Sequence, residues 1–212
     1  MERLICAGIG YACGLLQTGY FYGKLNHIDI RNYGSGNSGT TNALRTLGWK
    51  AGIITFLGDC LKCVLAVIIV HLIYSTSQNE ILSLLSMYAG MGAVLGHNYP
   101  FYLNFKGGKG IAATAGIFLI TNVWMALIAM AVFITVVLIT RYVSVASLVL
   151  VILFVVEVVV YGQIGGFSLT QPQLIEMYCI ALFLMISAFY KHKDNIKRLL
   201  NGTENKLNFK KK

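Results

Sequence analysis

"IAATAGIFLITNVWMALIAMAVFITVVLIT", residues 111–140, is a run of 30 residues without one charged side chain. As a single helix it would measure about 45 Å, against a bilayer hydrocarbon core of about 30 Å. It is either one steeply tilted helix or two short ones parted at Asn122, and that choice fixes the topology of the whole chain. The other apolar segments run at 3–22, 52–74, 81–97, 143–161 and 174–190. Most are near the roughly 20 residues that a spanning helix needs.

The charges between these segments decide the question, because basic connections are held on the cytoplasmic side. Segment 23–51 carries Lys24, Arg31, Arg45 and Lys50, segment 98–110 carries Lys106 and Lys109, and Arg141 stands alone between two later runs. The tail from residue 191 carries eight basic residues, among them Lys191, Lys193, Lys197, Arg198 and the final three lysines. Connections 75–80 and 162–173 carry none. A break at Asn122 gives seven spans and puts every basic connection on one side, with Arg3 a minor exception. An unbroken span would send Arg141 and the tail outside. The sequence therefore predicts an all-α, polytopic integral membrane protein of about seven transmembrane helices, residues 1–212 forming one domain. The N-terminus is expected outside and the C-terminus in the cytoplasm. Both helices beside Asn122 are short, which implies a locally thinned bilayer or helices packed within the protein.

Composition agrees with this reading. The 212 residues are 57% hydrophobic and 12% charged, where a soluble domain averages about 45–50% and about 25%. The net charge of +9 suits anionic lipid headgroups or phosphate-bearing substrates, and no module for reading nucleic acid accompanies it. The five cysteines, Cys6, Cys13, Cys60, Cys63 and Cys179, all lie in apolar runs. Their odd number argues against a disulfide framework, and Cys60-Leu-Lys-Cys63 has no second pair with which to hold a metal. The first run, with polar Gln17 and Thr18, reads as a retained span because no small-residue cleavage site followed by a soluble domain is evident.

The predicted alternation collects three polar segments at the cytoplasmic surface. The first, "DIRNYGSGNSGTTNALRTLGWK" at 29–50, alternates Gly34, Gly36 and Gly39 with Ser35, Asn37 and Ser38, then adds Thr40, Thr41 and Asn42. Arg45 follows at helical spacing from Thr41 and Asn42, so the three can share a face. The segment offers many uncharged donors on a flexible backbone, or serves only as a polar loop capping a helix through Thr41 or Asn42. The second, "YPFYLNFKGGKGIAATAG" at 99–116, is no nucleotide P-loop, since Lys109 is followed by Gly110 and Ile111. Gly107-Gly108-Lys109-Gly110 leads straight into a predicted helix start, where free N–H groups and the dipole favour an anion. Topology alone would need only the lysines, so the glycines favour a site. The third, "FYKHKDNIKRLLNGTENK" at 189–206, places His192, Asn195, Ile196 and Leu199 on one helical stripe, with Gly202 as the stop. A surface helix would not need two polar residues in its apolar stripe.

Within the spans, Asp59 and Lys62 are spaced to pair on one helix face, Glu157 has no local partner, and His71 falls near the outer interface. A small transporter of an anionic solute would suit these groups and the broken helix at 110–122. Against it, the polar motifs gather at one surface instead of at mid-membrane.

Together the three segments resemble the bacterial acyl-phosphate:glycerol-3-phosphate acyltransferases. The matching stretches are "DIRNYGSGNSGTTN" with Arg45, "GHNYPFYLNFKGGKGIAAT" at 96–114 and "KHKDNIKRLLNGTE" at 191–204, with "RYVSVAS" at 141–147 and the Asp59/Lys62 pair as further shared features. The likeness runs through the whole chain in order. Two departures bear on local packing: Gly14-Leu15-Leu16-Gln17 stands where the family often has a Gly-Ser-Ile-Pro type stretch, and Cys63 where a glycine commonly follows the lysine. The resemblance implies a multi-pass protein of the bacterial cell (inner) membrane, its site at the cytoplasmic interface. It implies transfer of a fatty acyl group from acyl phosphate to the first hydroxyl of glycerol 3-phosphate, giving lysophosphatidic acid, with a single chain (a monomer) as the working unit.

An acyl phosphate is a mixed anhydride and already activated, so no ATP, metal, coenzyme A or other cofactor is expected. Under this reading Arg45 and Lys109 supply positive charge. Donors come from Ser35, Asn37, Ser38, Gly39, Asn42, Gly107, Gly108, Gly110 and Ser144. His192 and Asn195 orient the attacking hydroxyl, and the resemblance implies that a substrate phosphate oxygen accepts its proton. The H-x-x-x-x-D signature of acyltransferases that use acyl-coenzyme A is absent at all four histidines, as is the paired-aspartate metal motif of the head-group transferases.

Overall fold

A computed structural model describes residues 1–207 and is helical throughout, with short 3₁₀ turns in the connections. The final three lysines of the expected cytoplasmic tail lie outside the described residues. Ten α-helices follow in order: α1 (Glu2–Gly14), α2 (Thr18–Leu25), α3 (Thr40–Leu47), α4 (Trp49–Tyr74), α5 (Leu82–Asn98), α6 (Ile111–Thr121), α7 (Val123–Thr140), α8 (Val143–Gln163), α9 (Gln171–Lys191) and α10 (Lys193–Leu200).

The helix breaks at Asn122, as the charge pattern required. Asn122 adopts extended backbone at φ −163°, and its side-chain oxygen accepts from the Trp124 N–H at 2.8 Å, which caps α7. A capping side chain satisfies one of the free first-turn donors that a new helix would otherwise leave open in lipid. The 11-residue α6 rises only about 16 Å. It is packed among its neighbours, with Ile117 and Phe118 buried and Phe118 edge-to-face on Phe154 at 5.0 Å. Five stretches are long and apolar enough to cross a bilayer: Glu2–Leu25, Trp49–Tyr74, Val123–Thr140, Val143–Gln163 and Gln171–Lys191. Large apolar residues such as Leu61, Leu72, Trp124, Leu138 and Ile186 point outward from these helices, as a lipid-facing surface demands.

The first apolar segment differs from its expected form. It is two helices, α1 and α2, parted at Leu15–Gln17, with Gln17 at φ −94°, ψ 82°. The carbonyls freed there are all met by side chains: Leu16 by Lys62 at 2.7 Å, Leu15 by the Tyr102 hydroxyl at 2.6 Å, and Gly14 by the Gln17 amide at 3.3 Å. Gln17 thus stands at the break and satisfies one of the freed carbonyls itself. Above it, α1 and α5 form the most intimate helix pair. Gly10 and Gly14 face the backbone of Ala89 and Ala93, while Gly92 and Gly96 face the backbone of Ala7, Tyr11 and Gly14, so a Cβ at any of the four would strike main chain. Such small-residue ridges let helices approach closely where lipid supplies no hydrophobic drive for association.

Asn42 does not cap α3, which starts at Thr40 after Gly39 without a side-chain cap. Gly48, at φ +87°, then turns the chain from α3 into α4. Gly202, at φ +67°, ends α10 as expected, and the chain folds back until the Leu207 N–H reaches the Arg141 carbonyl at 2.7 Å.

Candidate active site

All three polar segments meet at one end of the helices around a cavity of about 570 Å³. Loop 29–39 is knotted from inside by Asn42. Its amide donates to the carbonyls of Ile30, Tyr33 and Asn37 at 2.8–3.0 Å, and its oxygen accepts from the Ser35 N–H at 2.8 Å. Asn37 folds back to accept from the Gly39 N–H at 2.8 Å. These bonds leave Ser35, Gly39, Thr40 and Thr41 on the cavity wall at the start of α3. Arg45, one turn further on, lines the same wall and donates to the Asn205 carbonyl at 3.2 Å.

The second segment docks on the end of α5. The Gly108 N–H is bonded to the His97 carbonyl at 3.0 Å and the Gly107 N–H to the Asn98 carbonyl at 3.2 Å. This corrects the expected role of both glycines: their N–H groups are held by protein and cannot cradle a phosphate. What they provide is close approach, since a Cβ on Gly107 would strike the His97 carbonyl and one on Gly108 the His97 ring. Lys109, Gly110 and Ile111 do line the cavity, at the N-terminus of α6. Gly110 adopts φ +84° above the side chains of Val94 and Asn98, a conformation and a gap that favour glycine.

The third segment supplies the opposite wall. Lys109 Nζ donates to Asn195 Oδ1, and Asn195 Nδ2 donates to Glu204 at 2.8 Å. Glu204 also accepts from Arg198 at 2.7 Å and from the Ser144 hydroxyl at 3.1 Å. This buried carboxylate therefore ties α8, α10 and the returning tail together. The His192 ring, 2% exposed, has Nδ1 at 2.8 Å from the Ala188 carbonyl. A carbonyl only accepts, so Nδ1 carries the proton and Nε2 is left as an acceptor.

Of the residues expected in the site, Ser35, Asn37, Gly39, Asn42, Arg45, Lys109, Gly110, Ser144, His192 and Asn195 line the cavity. Ser38, Gly107 and Gly108 lie behind the wall. Ser38 is 1% exposed and donates to Gln17 at 3.1 Å. Asn42 touches the cavity, but its hydrogen-bonding groups are taken up by the loop it shapes. Sequence reasoning passed over Glu204, though it stands alone as an acid beyond the stop of a basic helix. Thr40 and Thr41, read in the sequence only as part of the donor-rich segment, line the cavity too, and His97 was missed.

The electrostatics follow from this packing. Burial, and then the neighbouring Arg198 charge, push the Lys109 ammonium down to about 8. Burial and the Lys109 charge push His192 down to about 4, so its imidazole is neutral near pH 7. Burial would raise the Glu204 carboxyl, but hydrogen bonds from Asn195, Arg198 and Ser144 hold it below its ordinary value. The cavity continues from this polar end along an apolar wall that includes Phe56, Leu57, Leu119, Leu127, Met130 and Phe133 of α4, α6 and α7. A ligand with an anionic head and an apolar tail would find both parts matched.

A family model described as glycerol-3-phosphate acyltransferase matches residues 4–202. A glycerol-3-phosphate acyltransferase of Clostridioides difficile (strain 630) is 42% identical over 213 residues, covering 98% of this chain and 97% of its own. Two crystal structures of PlsY (YgiH), an integral membrane glycerol 3-phosphate acyltransferase, share the fold. The glycerol 3-phosphate form superposes with a TM-score of 0.82 at 31% identity, and the lysophosphatidic acid form with 0.80 at 30%. Each comparison covers 98% of this chain and 96% of that one. By sequence and by fold, this chain belongs to the glycerol-3-phosphate acyltransferase family.

Proposed function

We propose that this acyltransferase moves a fatty acyl group from acyl phosphate to the sn-1 hydroxyl of glycerol 3-phosphate, releasing lysophosphatidic acid and phosphate. The observation that carries the reading is the convergence of Lys109, Arg45, His192, Asn195 and Ser144 on one cavity whose far wall is apolar. Two phosphates can sit there without strong mutual repulsion, because Lys109 and Arg45 neutralise them and the first turns of α3 and α6 offer further N–H groups. The fatty chain follows the apolar wall.

In the reaction, the glycerol hydroxyl oxygen attacks the acyl carbonyl carbon, a C–O bond forms, and the carbonyl oxygen gains negative charge. The C–O bond to the phosphate then breaks and phosphate departs. His192 Nε2 accepts from the neighbouring hydroxyl of glycerol 3-phosphate and so holds the substrate with its sn-1 oxygen aimed at the acyl carbon. With a pKa near 4 the imidazole is a weak base, and the proton passes to a phosphate oxygen of the substrate. The Lys109 ammonium and nearby N–H donors stabilise the developing oxyanion. Asn195 and Glu204 hold Lys109 in place between turnovers.

In this reading the protein crosses the bacterial cell membrane seven times as a monomer, α1 and α2 together forming the first crossing, with the cavity at the cytoplasmic surface. The basic connections and the outward apolar faces support it. The test is purified protein with glycerol 3-phosphate and either palmitoyl phosphate or palmitoyl-coenzyme A. Lysophosphatidic acid should form from the acyl phosphate without added metal or nucleotide. Full activity with palmitoyl-coenzyme A alone would refute the proposed donor.

A further inference from the structure

Beneath the Lys109 loop lies a buried ionic cluster that the reaction described above does not use. Asp59, Lys62 and His97 are 1%, 3% and 2% exposed. Lys62 Nζ makes three hydrogen bonds, to the Leu16 carbonyl at 2.7 Å, Asp59 Oδ1 at 3.0 Å and His97 Nδ1 at 2.7 Å. An ammonium has three protons and no lone pair, so these three acceptors satisfy it completely. His97 Nδ1 must then be the unprotonated ring nitrogen, because two donors cannot face each other at that distance. The ring proton is on Nε2.

Nε2 has no hydrogen-bond partner among the described residues. Its place is specific: a Cβ on Gly108 would fall on it, so the N–H lies across the bare Cα of the residue that precedes Lys109. His97 also lines the cavity. The unpartnered N–H thus stands at the wall of a cavity whose polar end holds Lys109 and Arg45. A neutral N–H adds a directional contact to a phosphate without adding another charge to a pocket that already holds Lys109 and Arg45.

We infer that His97 is a substrate-binding residue: its Nε2–H, presented over Gly108, donates to a phosphate oxygen held beside Lys109. Lys62 is the positioning residue that fixes this tautomer, and Asp59 balances the Lys62 charge. The inference rests on the phosphate-binding reading of the cavity. The shared chemistry is a phosphate oxygen, which either acyl phosphate or glycerol 3-phosphate could supply.

Two substitutions separate binding from support. His97→Gln can place an amide N–H near the Nε2 position but loses the acceptor for Lys62, whereas His97→Asn keeps an acceptor near Nδ1 and loses the Nε2–H. With each substrate varied in turn, His97→Asn should raise KM for one phosphate by about 10- to 100-fold, and His97→Gln should recover much of that. The substrate whose KM moves identifies the phosphate held. An unchanged KM for both substrates in His97→Asn, or a His97→Gln protein that binds more weakly than His97→Asn, overturns the inference. Because either variant could fail to fold, the wild-type protein is also labelled with ¹⁵N-histidine in detergent. The His97 Nε2 resonance should shift with saturating glycerol 3-phosphate or with palmitoyl phosphate, and a resonance unmoved by both overturns it. Wild-type protein that makes no product from acyl phosphate would refute the proposed reaction instead, while the resonance would still report on His97.

Discussion

Lys106 and Lys109 lie three residues apart in one loop, and the structure gives them opposite surroundings. Lys106 is exposed, whereas Lys109 turns inward onto Asn195. Lys109→Ala should therefore lose about 10- to 150-fold in turnover, the worth of a charge-assisted contact of about 1.5–3 kcal/mol. Lys106→Ala should stay near wild type, and Lys109→Arg should recover only part of the loss because its planar fork differs from a point charge. Turnover at equal folded amounts in detergent checks all three. The pH profile carries the same signature. The Lys109 pKa is lowered to about 8, so its charged form, the one proposed to bind phosphate, is present below that pH and is lost above it. In wild type, kcat/KM should fall as pH rises through about 8, and the Lys109→Arg protein should lack that limb. A bound phosphate favours the ammonium, so the corresponding fall in kcat should lie at higher pH.

Among the elements, the tightest constraint is the seam between α1 and α5. Gly96→Ala would drive a Cβ into the Tyr11 carbonyl and the Gly14 backbone, and main chain cannot rotate aside. The change should destabilise the protein by about 1–3 kcal/mol, read as a lower midpoint of thermal unfolding in detergent. Gly8→Ala on the same α1, with open space around it, should be neutral or slightly stabilising. The seam matters for chemistry as well as for stability. It carries Gln17, whose amide donates to the His97 carbonyl at 3.0 Å while its oxygen accepts from Ser38. The first polar segment and the end of α5, on which the second docks, are thereby linked through one side chain at a helix break. That break was not legible in the sequence, because the run from 3 to 22 is apolar enough for one helix and Gln17 acts through partners about 20 and 80 residues away. The break at Asn122 was legible, because the length of the run and the positions of the basic residues are properties of the sequence itself.

For the molecule as a whole, the expected orientation can be tested by labelling single cysteines in a cysteine-free background. Ser77→Cys, in the connection without basic residues, should react with a membrane-impermeant reagent added outside intact cells. Asn104→Cys and Lys193→Cys should react only after permeabilisation. Labelling of all three from one side would refute the seven-crossing arrangement. By itself the sequence determined the helical membrane class, the division at Asn122 and much of the polar end of the cavity wall, because hydropathy, charge alternation and motif composition are written locally along the chain. Only the tertiary structure decided what those residues do. It gave the N–H groups of Gly107 and Gly108 to the end of α5, made Asn42 an internal knot, and made Glu204 the tie between Ser144, Asn195 and Arg198. The physical reason is that a polar group's role is set by the partner it meets, and here many of those partners are brought together from separate segments of the chain by folding alone.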